Sequence, residues 1–331
     1  MAVIPVRRLL LNMAWPMMLS MLIQALYNLV DSMFVAQLSS DGFVALALVY
    51  PIQTLMIAVC VGTGVGFNAL LARRLGEDRP DEANRVVANG YFVYLVCWVV
   101  FLVLGVGLAP VFMELFAPGQ PQVIDYGIQY LSIVTGASVG ICMQFAGERT
   151  LQATGNTVGP MVIQGIGAVI NLILDPLLIF GIGPFPRMEV AGAALATVLG
   201  QVVGMVVGLC MVRRSSIVRL SFRGFRPDSA IIRTMFRVGV PAILVQALAT
   251  VMNLGMNLIL PLFTASGVFI LGAYFKLQSF LFMPVNGLNN ALIPIVSFNY
   301  GARQRSRITG VIHFALVLSA AIMAVGTVVF L

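Results

Sequence analysis

The sequence is poor in charge. Only 9% of its 331 residues are Asp, Glu, Lys or Arg, whereas 60% are hydrophobic, and the mean hydropathy is +1.00. Soluble domains carry roughly 25% charged residues, so this composition excludes a soluble protein and indicates a polytopic membrane protein. The segments between apolar runs lack a nucleophile–base pair, a metal-ligand spacing and a phosphate-binding loop, so we do not expect an enzyme.

Lysine, histidine and cysteine are scarce too. Lys276 is the single lysine and His313 the single histidine, so the net charge of +7 comes from arginine. The four cysteines lie in apolar segments, match no metal or redox spacing and are expected to be core residues. In a soluble protein such a charge would suggest nucleic acid, but arginines in short loops set membrane topology. We therefore expect the lipid bilayer as surroundings, no nucleic-acid partner and no cofactor.

The sequence is rich in long apolar runs. Nine of them reach the roughly 20 residues that a bilayer-spanning helix needs. The predicted spans are 10–37, 45–72, 88–111, 123–148, 157–181, 190–213, 230–262, 267–298 and 308–331. The predicted fold class is therefore all-α, a polytopic membrane helix bundle.

The arginines predict the orientation of this bundle. When the spans alternate, seventeen arginines fall on the side of the N-terminus and only Arg187 falls on the other side. Positive charge is retained on the cytoplasmic side of membranes. We therefore predict a multi-pass protein of the plasma (inner) membrane with a cytoplasmic N-terminus.

An internal repeat at an offset of 225 residues predicts two lobes. The identities are Pro16/Pro241, Asn28/Asn253, Leu29/Leu254, Gly42/Gly267, Gln53/Gln278, Gly62/Gly287 and Gly76/Gly301. An offset of six helices preserves orientation, so the lobes should be parallel repeats. We predict a six-helix N-terminal lobe at 1–215, a cytoplasmic linker at 216–229 and a partial C-terminal lobe of three helices at 230–331. Because counterparts of helices four to six are absent, we expect a twelve-helix protein that is cut short.

Polar residues inside the spans should face the bundle interior, because a charge at the bilayer centre costs roughly 3 kcal/mol or more. The candidates are Gln24, Asn28, Asp31, Gln164, Asn171, Asp175, Thr197, Gln201, Gln246, Asn253, Lys276 and Gln278. Those expected to line a cavity and contact substrate are Gln24, Asn28, Gln201, Gln246, Asn253, Lys276 and Gln278. For the amides, helix-to-helix hydrogen bonding is an equally good interpretation. For Lys276, ion pairing with an acid ranks first. Glu148 and Asp125 lie near predicted helix ends and are expected at the interface.

The two buried acids carry the functional hypothesis. Two neighbouring carboxylates in a low dielectric should not both ionise freely, so one of them can take up a proton on one side and release it on the other. Deprotonated, with the oxygens of Asn171 and Thr197 beside it, such a carboxylate can instead coordinate sodium, so Asp31, Asn171, Asp175 and Thr197 are the candidate sodium ligands. Position 256, which the repeat aligns with Asp31, is a methionine, so coupling chemistry is expected in the first lobe alone.

Several motifs resemble those of multidrug and toxic compound extrusion (MATE) transporters. They are QALYNLVDSMFVAQL in the first span, LQATGN at 151–156, NLILDPLLIFG at 171–181 and FMPVNGLNNALIPIVSFNYGA at 282–302. The resemblance implies two six-helix lobes around a central cavity and alternating access. It also implies export of organic cations or related amphiphiles in exchange for protons or sodium. By motif match, Asp31, Asn171, Asp175 and Thr197 would form the cation site.

Two alternatives remain at this stage. One is a flippase for lipid-linked precursors from the same superfamily; it would favour a basic cavity, whereas this chain offers one lysine and two acids. The other is a truncated fragment that does not transport, or a half that assembles with a protein partner. The sequence names neither the substrate nor the coupling ion.

Overall fold

The computed structural model is a helix bundle, and it describes residues 4–35, 37, 39–260, 263 and 267–330. The side chains of Asn28, Asp31, Asn253 and Lys276 lie outside the described residues, although their backbone is helical. These ranges contain no strand. They form the helices α1 (Val6–Val35), α2 (Ser40–Gly76), α3 (Pro80–Phe116), α4 (Pro121–Gly136), α5 (Val139–Ala153), α6 (Val158–Phe180), α7 (Glu189–Arg213), α8 (Ser229–Ile259), α9 (Gly267–Gly301) and α10 (Arg305–Phe330).

The helices are those of a multi-pass membrane protein. Within the described ranges, α1, α2, α3, α6, α7, α8 and α10 are each long and apolar enough to cross a membrane, and α4 and α5 pass that test as a bent pair. α9 covers the predicted span 267–298 with 35 residues but is not among them. The predicted all-α membrane bundle is thus confirmed.

The predicted span 123–148 is not one straight helix. It breaks between α4 and α5, which are bent by 40°. Two hydroxyl groups compete for backbone carbonyls at this point: Thr135 donates to the carbonyl one turn earlier at 2.6 Å, and Ser138 donates to the carbonyl of Thr135 at 2.6 Å. The indole Nε1 of Trp98 donates to the carbonyl of Gly136 at 3.1 Å. Such bonds satisfy the backbone groups that a break exposes inside a membrane.

The arginine-bearing connections meet at one end of the bundle, which we call the basic end. A small cavity of about 320 Å³ there is lined by residues from the ends of α2, α5 and α9, from the start of α3 and from the segment between α7 and α8. Its lining residues are Leu75, Asp78, Arg79, Pro80, Ala153, Thr154, Ile217 and Phe298. The N-terminus joins the same end, because Arg307 Nη2 donates to the carbonyl of Ile4 at 2.7 Å.

The linker between α7 and α8 is held against α3 at the basic end. The backbone N–H of Arg219 donates to Asn84 Oδ1 at 2.7 Å, and that of Asp228 donates to Asn89 Oδ1 at 2.9 Å. The Asp228 carboxylate in turn accepts from the N–H groups of Ala230 and Ile231, at 2.9 and 3.3 Å. This is an N-cap, and it fixes where α8 begins.

Two pairs of helices join the lobes by close backbone approach, α2 with α8 and α1 with α9. A Cβ atom on Gly62 would lie 2.7 Å from the backbone nitrogen of Ile243, and one on Gly287 would lie 2.7 Å from the backbone nitrogen of Met18. Small residues allow helices to approach this closely in a bilayer. The two contacts are related by the same offset of 225 residues, so the interface between the lobes is itself two-fold symmetric.

The ends of α2 and α9 repeat this arrangement. A Cβ on Gly76 would collide with the carbonyl of Phe298, and one on Gly301 with the carbonyl of Arg73; these pairs too are related by 225 residues. Gly66 likewise approaches the carbonyl of Met235 on α8. These contacts all lie in the half of the bundle nearest the basic end. We call them the glycine seal, formed by Gly62, Gly66, Gly76, Gly287 and Gly301.

Candidate functional site

A cavity of about 600 Å³ lies between the helices on the far side of the glycine seal. Among the described residues, its lining includes glutamine, tyrosine and phenylalanine side chains together with one carboxylate. The wall includes Gln24, Tyr27, Tyr50, Tyr130, Gln144, Phe145, Glu148, Gln164, Asn171, Thr197, Gln201 and Gln246. The volume falls within the range of about 300–1,000 Å³ that small-molecule sites occupy.

A buried polar cluster connects α6 to α7 at this cavity. Asn171, Asp175 and Thr197 are 2%, 1% and 8% exposed. The amide of Asn171, oriented with its nitrogen toward the carboxylate, donates to Asp175 Oδ2 at 2.7 Å, and its oxygen accepts from the backbone nitrogen of Thr197 at 3.0 Å. Asn171 and Asp175 meet because residues four apart on a helix are neighbours. Three of the four predicted cation-site residues therefore lie together.

The fourth, Asp31, has its side chain outside the described residues, but the helix that carries it lies beside the cluster. α1 packs along α6. Phe34, one turn beyond Asp31, meets the ring of Phe180 on α6 edge to face, with ring centroids 6.4 Å apart. Phe180 follows Asp175 by five residues. The two segments that carry the predicted acids are therefore neighbours.

The cluster offers oxygen ligands and a titratable group. A carboxylate, an amide oxygen and a hydroxyl are the donors that hard cations prefer, and a carboxylate in a low dielectric can also exchange a proton. Among the described residues, no group of three His, Cys, Asp or Glu is placed to bind a metal. A carboxylate with these neighbours is chemically able to exchange a proton or a hard cation.

The predicted substrate-contacting residues divide into three groups. Gln24, Gln201 and Gln246 line the cavity. Gln278 is half-buried on α9 and is not part of the wall, although its repeat counterpart Gln53 is. The side chains of Asn28, Asn253 and Lys276 lie outside the described residues, and their assignment stays a prediction.

Glu148 is the residue that the sequence misplaced. It was expected at the membrane interface, but it lines the cavity and is 1% exposed. The error follows from the predicted end of the span at 148. Because α5 continues to Ala153, Glu148 lies more than one turn before the end of the helix. Gln144, one turn earlier in the same apolar stretch, was the available signal. The two share a face, as polar residues that line an interior do.

Three comparisons place the chain among known proteins. The MatE family model matches residues 16–177 and 241–331. The FAD transporter of Shewanella oneidensis is 30% identical over 308 residues, which cover 92% of this chain and 67% of that protein. The multidrug export protein MepA of Staphylococcus haemolyticus is 24% identical over 318 residues, with 96% and 69% covered. A crystal structure of MATE in complex with MaL6 has a TM-score of 0.91 at 24% identity, covering 97% of this chain and 71% of its own.

Proposed function

Because this chain belongs to the MatE family, it is a multi-pass membrane transporter and not an enzyme, and we propose that it is a cation-coupled antiporter that exports organic cations and amphiphilic drugs. The observation that carries this proposal is the junction of the Asn171–Asp175–Thr197 cluster with a cavity large enough for a drug-sized molecule. A transporter needs both a coupling site and a substrate site, and here they share one wall.

Asp31 and Asp175 are the coupling groups, with Asn171 and Thr197 as neighbours that hold the ion or the protonated acid. A proton or sodium ion binds there and changes the charge of a buried site. A ligand shifts a two-state equilibrium by the difference in its affinity for the two states. An ion that is held more tightly in one arrangement of the lobes therefore drives the switch to that arrangement.

The cavity wall is amphiphilic. Gln24, Gln201 and Gln246 offer amides, and the tyrosine and phenylalanine rings offer apolar surface; Asn28 on α1, Asn253 on α8, and Lys276 and Gln278 on α9 are further candidates. Flexible and apolar walls accept varied ligands. None of the described wall residues is lysine or arginine, so a lipid-linked anionic headgroup would find no cationic partner among them. This disfavours the flippase alternative.

The glycine seal determines the conformational state of the transporter, that is, the side of the membrane toward which the cavity opens. If the basic end faces the cytoplasm, as the arginines predict, the cavity is closed toward the cytoplasm and belongs to an outward-facing state. Tyr50 on the cavity wall is 65% exposed and Phe43 is 52% exposed, as expected of a wall that opens away from the seal. The opposite state requires the seal to part.

The proposal is tested by uptake of ethidium into inside-out vesicles under a proton gradient alone and a sodium gradient alone. One gradient should drive accumulation. Asp175→Asn and Asp31→Asn should each reduce driven uptake at least tenfold, because neither neutral side chain exchanges a charge. Asp125→Asn, at an exposed acid on α4, is the matched control and should leave uptake within about twofold. Full driven uptake by both Asp175→Asn and Asp31→Asn would refute the assigned coupling site.

A second candidate substrate is a flavin dinucleotide, because the 30% identical relative is named an FAD transporter. The same vesicles can be offered FAD in place of ethidium. The carboxylate on the cavity wall repels a ligand with two phosphates, so we expect ethidium to be driven and FAD not. Driven FAD uptake with no ethidium uptake would reverse the substrate assignment and leave the coupling site intact.

A further inference from the structure

Glu148 lies at the closed end of the cavity, on the side of the glycine seal. Among the described residues, the hydrogen-bond partners of its carboxylate are two glutamine amides and not a cationic side chain. Oε1 accepts from Gln144 Nε2 at 3.0 Å, and Oε2 accepts from Gln164 Nε2 at 3.0 Å. Gln164 is fixed in turn, because its Oε1 accepts from the hydroxyl of Ser20 on α1. Three helices therefore position one acid.

The neighbouring Arg149 does not neutralise this acid by an ion pair. Its side chain points the other way, where Nη1 donates to Gln152 Oε1 at 2.9 Å and to Asn290 Oδ1 at 3.3 Å. No ion pair to Glu148 occurs among the described residues. Each carboxylate oxygen can accept a second hydrogen bond. A buried carboxylate of this kind is strongly disfavoured as an anion unless a cation joins it or a proton neutralises it.

The acid is separate from the coupling cluster. Gln164, which holds Glu148, and Asp175 lie on the same helix, eleven residues apart. At 1.5 Å per residue they are roughly 16 Å apart along α6. One ion cannot contact both carboxylates at that separation. Two distinct acidic positions therefore lie along the cavity: Glu148 on its wall beside the glycine seal, and Asp175 in contact with the wall residue Asn171 nearer the opposite end.

The surroundings of Glu148 define the ligand. Tyr130, Tyr50 and Tyr27 line the same cavity, whereas the ring of Phe145, on the same helix as Glu148, already packs against the Arg149 guanidinium, 5.8 Å from the ring centroid. Aromatic faces attract organic cations, and a flat aromatic ligand would stack on such a wall. Building on the proposed function, we propose that Glu148 is the anchor for the positive charge of the substrate, an aromatic monocation, and that it selects cations over neutral and anionic compounds.

A purely structural role predicts a different residue preference. The hydrogen bonds from Gln144 and Gln164 tie α5 to α6, and a glutamine at position 148 would keep a bond to at least one of them without burying a charge. The carboxylate adds only the negative charge and its unused acceptor sites. Those are the two features that a substrate cation uses, so a ligand that lacks a charge should not distinguish Glu148 from glutamine.

The test is equilibrium binding of ethidium to the purified full chain in lipid nanodiscs. Glu148→Gln should weaken ethidium binding at least tenfold, and Glu148→Asp should retain most of it because it keeps the charge. The double variant Glu148→Gln with Gln164→Glu exchanges the two side chains that are hydrogen-bonded to each other, so the carboxylate stays in the cavity. It should recover part of the affinity for ethidium. Asp125→Asn, at the exposed acid on α4, should leave the affinity within about twofold. Ethidium affinity unchanged in Glu148→Gln would overturn the proposal.

A second measurement uses the unaltered protein, so it does not depend on folding of the variants. Bound ethidium should protect Glu148 from modification by dicyclohexylcarbodiimide, read by mass spectrometry of the peptide that contains it. Equal modification with and without saturating ethidium would also overturn the proposal. Neither experiment measures transport, so a protein that binds ethidium at Glu148 but moves nothing would refute the antiport proposal alone.

Discussion

The two halves of the interface between the lobes are built from the same helices in opposite ways. In the half near the basic end, α1, α2, α8 and α9 meet backbone to backbone through the glycine seal. In the other half, residues of α1, α2 and α8 stand apart and present amides and aromatic rings to a cavity. A helix can serve both purposes because side-chain size alone sets how closely two helices approach. One half is therefore built for closure and the other for a ligand.

The largest expected effect comes from adding a single methyl group to the seal. Gly62→Ala and Gly287→Ala each place a Cβ against the backbone of the opposite lobe, which cannot give way as a flexible side chain could. We expect each to reduce ethidium transport in vesicles at least tenfold, by preventing full closure. Because the two sites are related by the repeat, their effects should be similar in size.

Gly107→Ala is the matched control for these variants. Gly107 lies on α3 with open space around the position of its Cβ, so alanine should stabilise the helix by about 1 kcal/mol and leave transport unchanged. A strong loss in Gly62→Ala with none in Gly287→Ala would contradict the symmetric seal. Spin labels at the basic end, measured by electron paramagnetic resonance, would show whether the lobes have separated.

A smaller effect is expected where the two halves meet. Arg149 on α5 reaches across to Asn290 on α9 at 3.3 Å, and it keeps its bond to Gln152 when that partner is lost. Asn290→Leu should therefore destabilise the closed basic end relative to the open one by about 1 kcal/mol. The population of molecules with an open basic end should rise by roughly fivefold. The same spin-label distances report this shift.

Asn286→Leu serves as the control for Asn290→Leu. Asn286 is exposed on the same helix one turn earlier, so its replacement should leave the distance distribution unchanged. An equal shift in both variants would mean that the general polarity of α9, rather than the bond to Arg149, holds the lobes together.

The smallest effect concerns Glu77 at the edge of the seal. Burial alone would raise the pKa of this carboxyl, but hydrogen bonds from Arg73 Nε at 2.8 Å and Arg74 Nη1 at 2.7 Å, with the charges of both arginines, lower its pKa overall. A depressed folded-state pKa contributes stability above the ordinary carboxyl range near 4.3, and this stability is lost as the pH falls through the lowered value.

Glu77→Gln should consequently lower the melting temperature at pH 7 by on the order of 1 °C, since ion pairs of this exposure contribute about 1 kcal/mol or less. The difference between Glu77→Gln and the unaltered protein should shrink toward zero as the pH falls below about 4. A difference that grows on acidification would show that the carboxylate is stabilised by something other than the two arginines.

Sequence reasoning was most successful where a pattern is local. Asn171 and Asp175 are four residues apart on one helix, so their proximity could be predicted without any tertiary contact. The repeat pairs 62/287 and 76/301 named glycines that the structure places at the interface between the lobes. The position of Glu148 was predicted wrongly because hydropathy defines the end of a span poorly. The bend between Gly136 and Val139 was not predicted either, because it leaves little signal in the local sequence.

The sequence by itself determined the class of protein, most of the helical spans, the repeat and the family, because apolar length and motifs are properties of the chain read in order. Only the tertiary structure decided which polar residues share a cavity. It joined Thr197 on α7 to Asn171 on α6 and brought Gln164 to Glu148. The physical reason is that contacts between helices depend on how each one is bent, rotated and packed, and no window along a single chain carries that information.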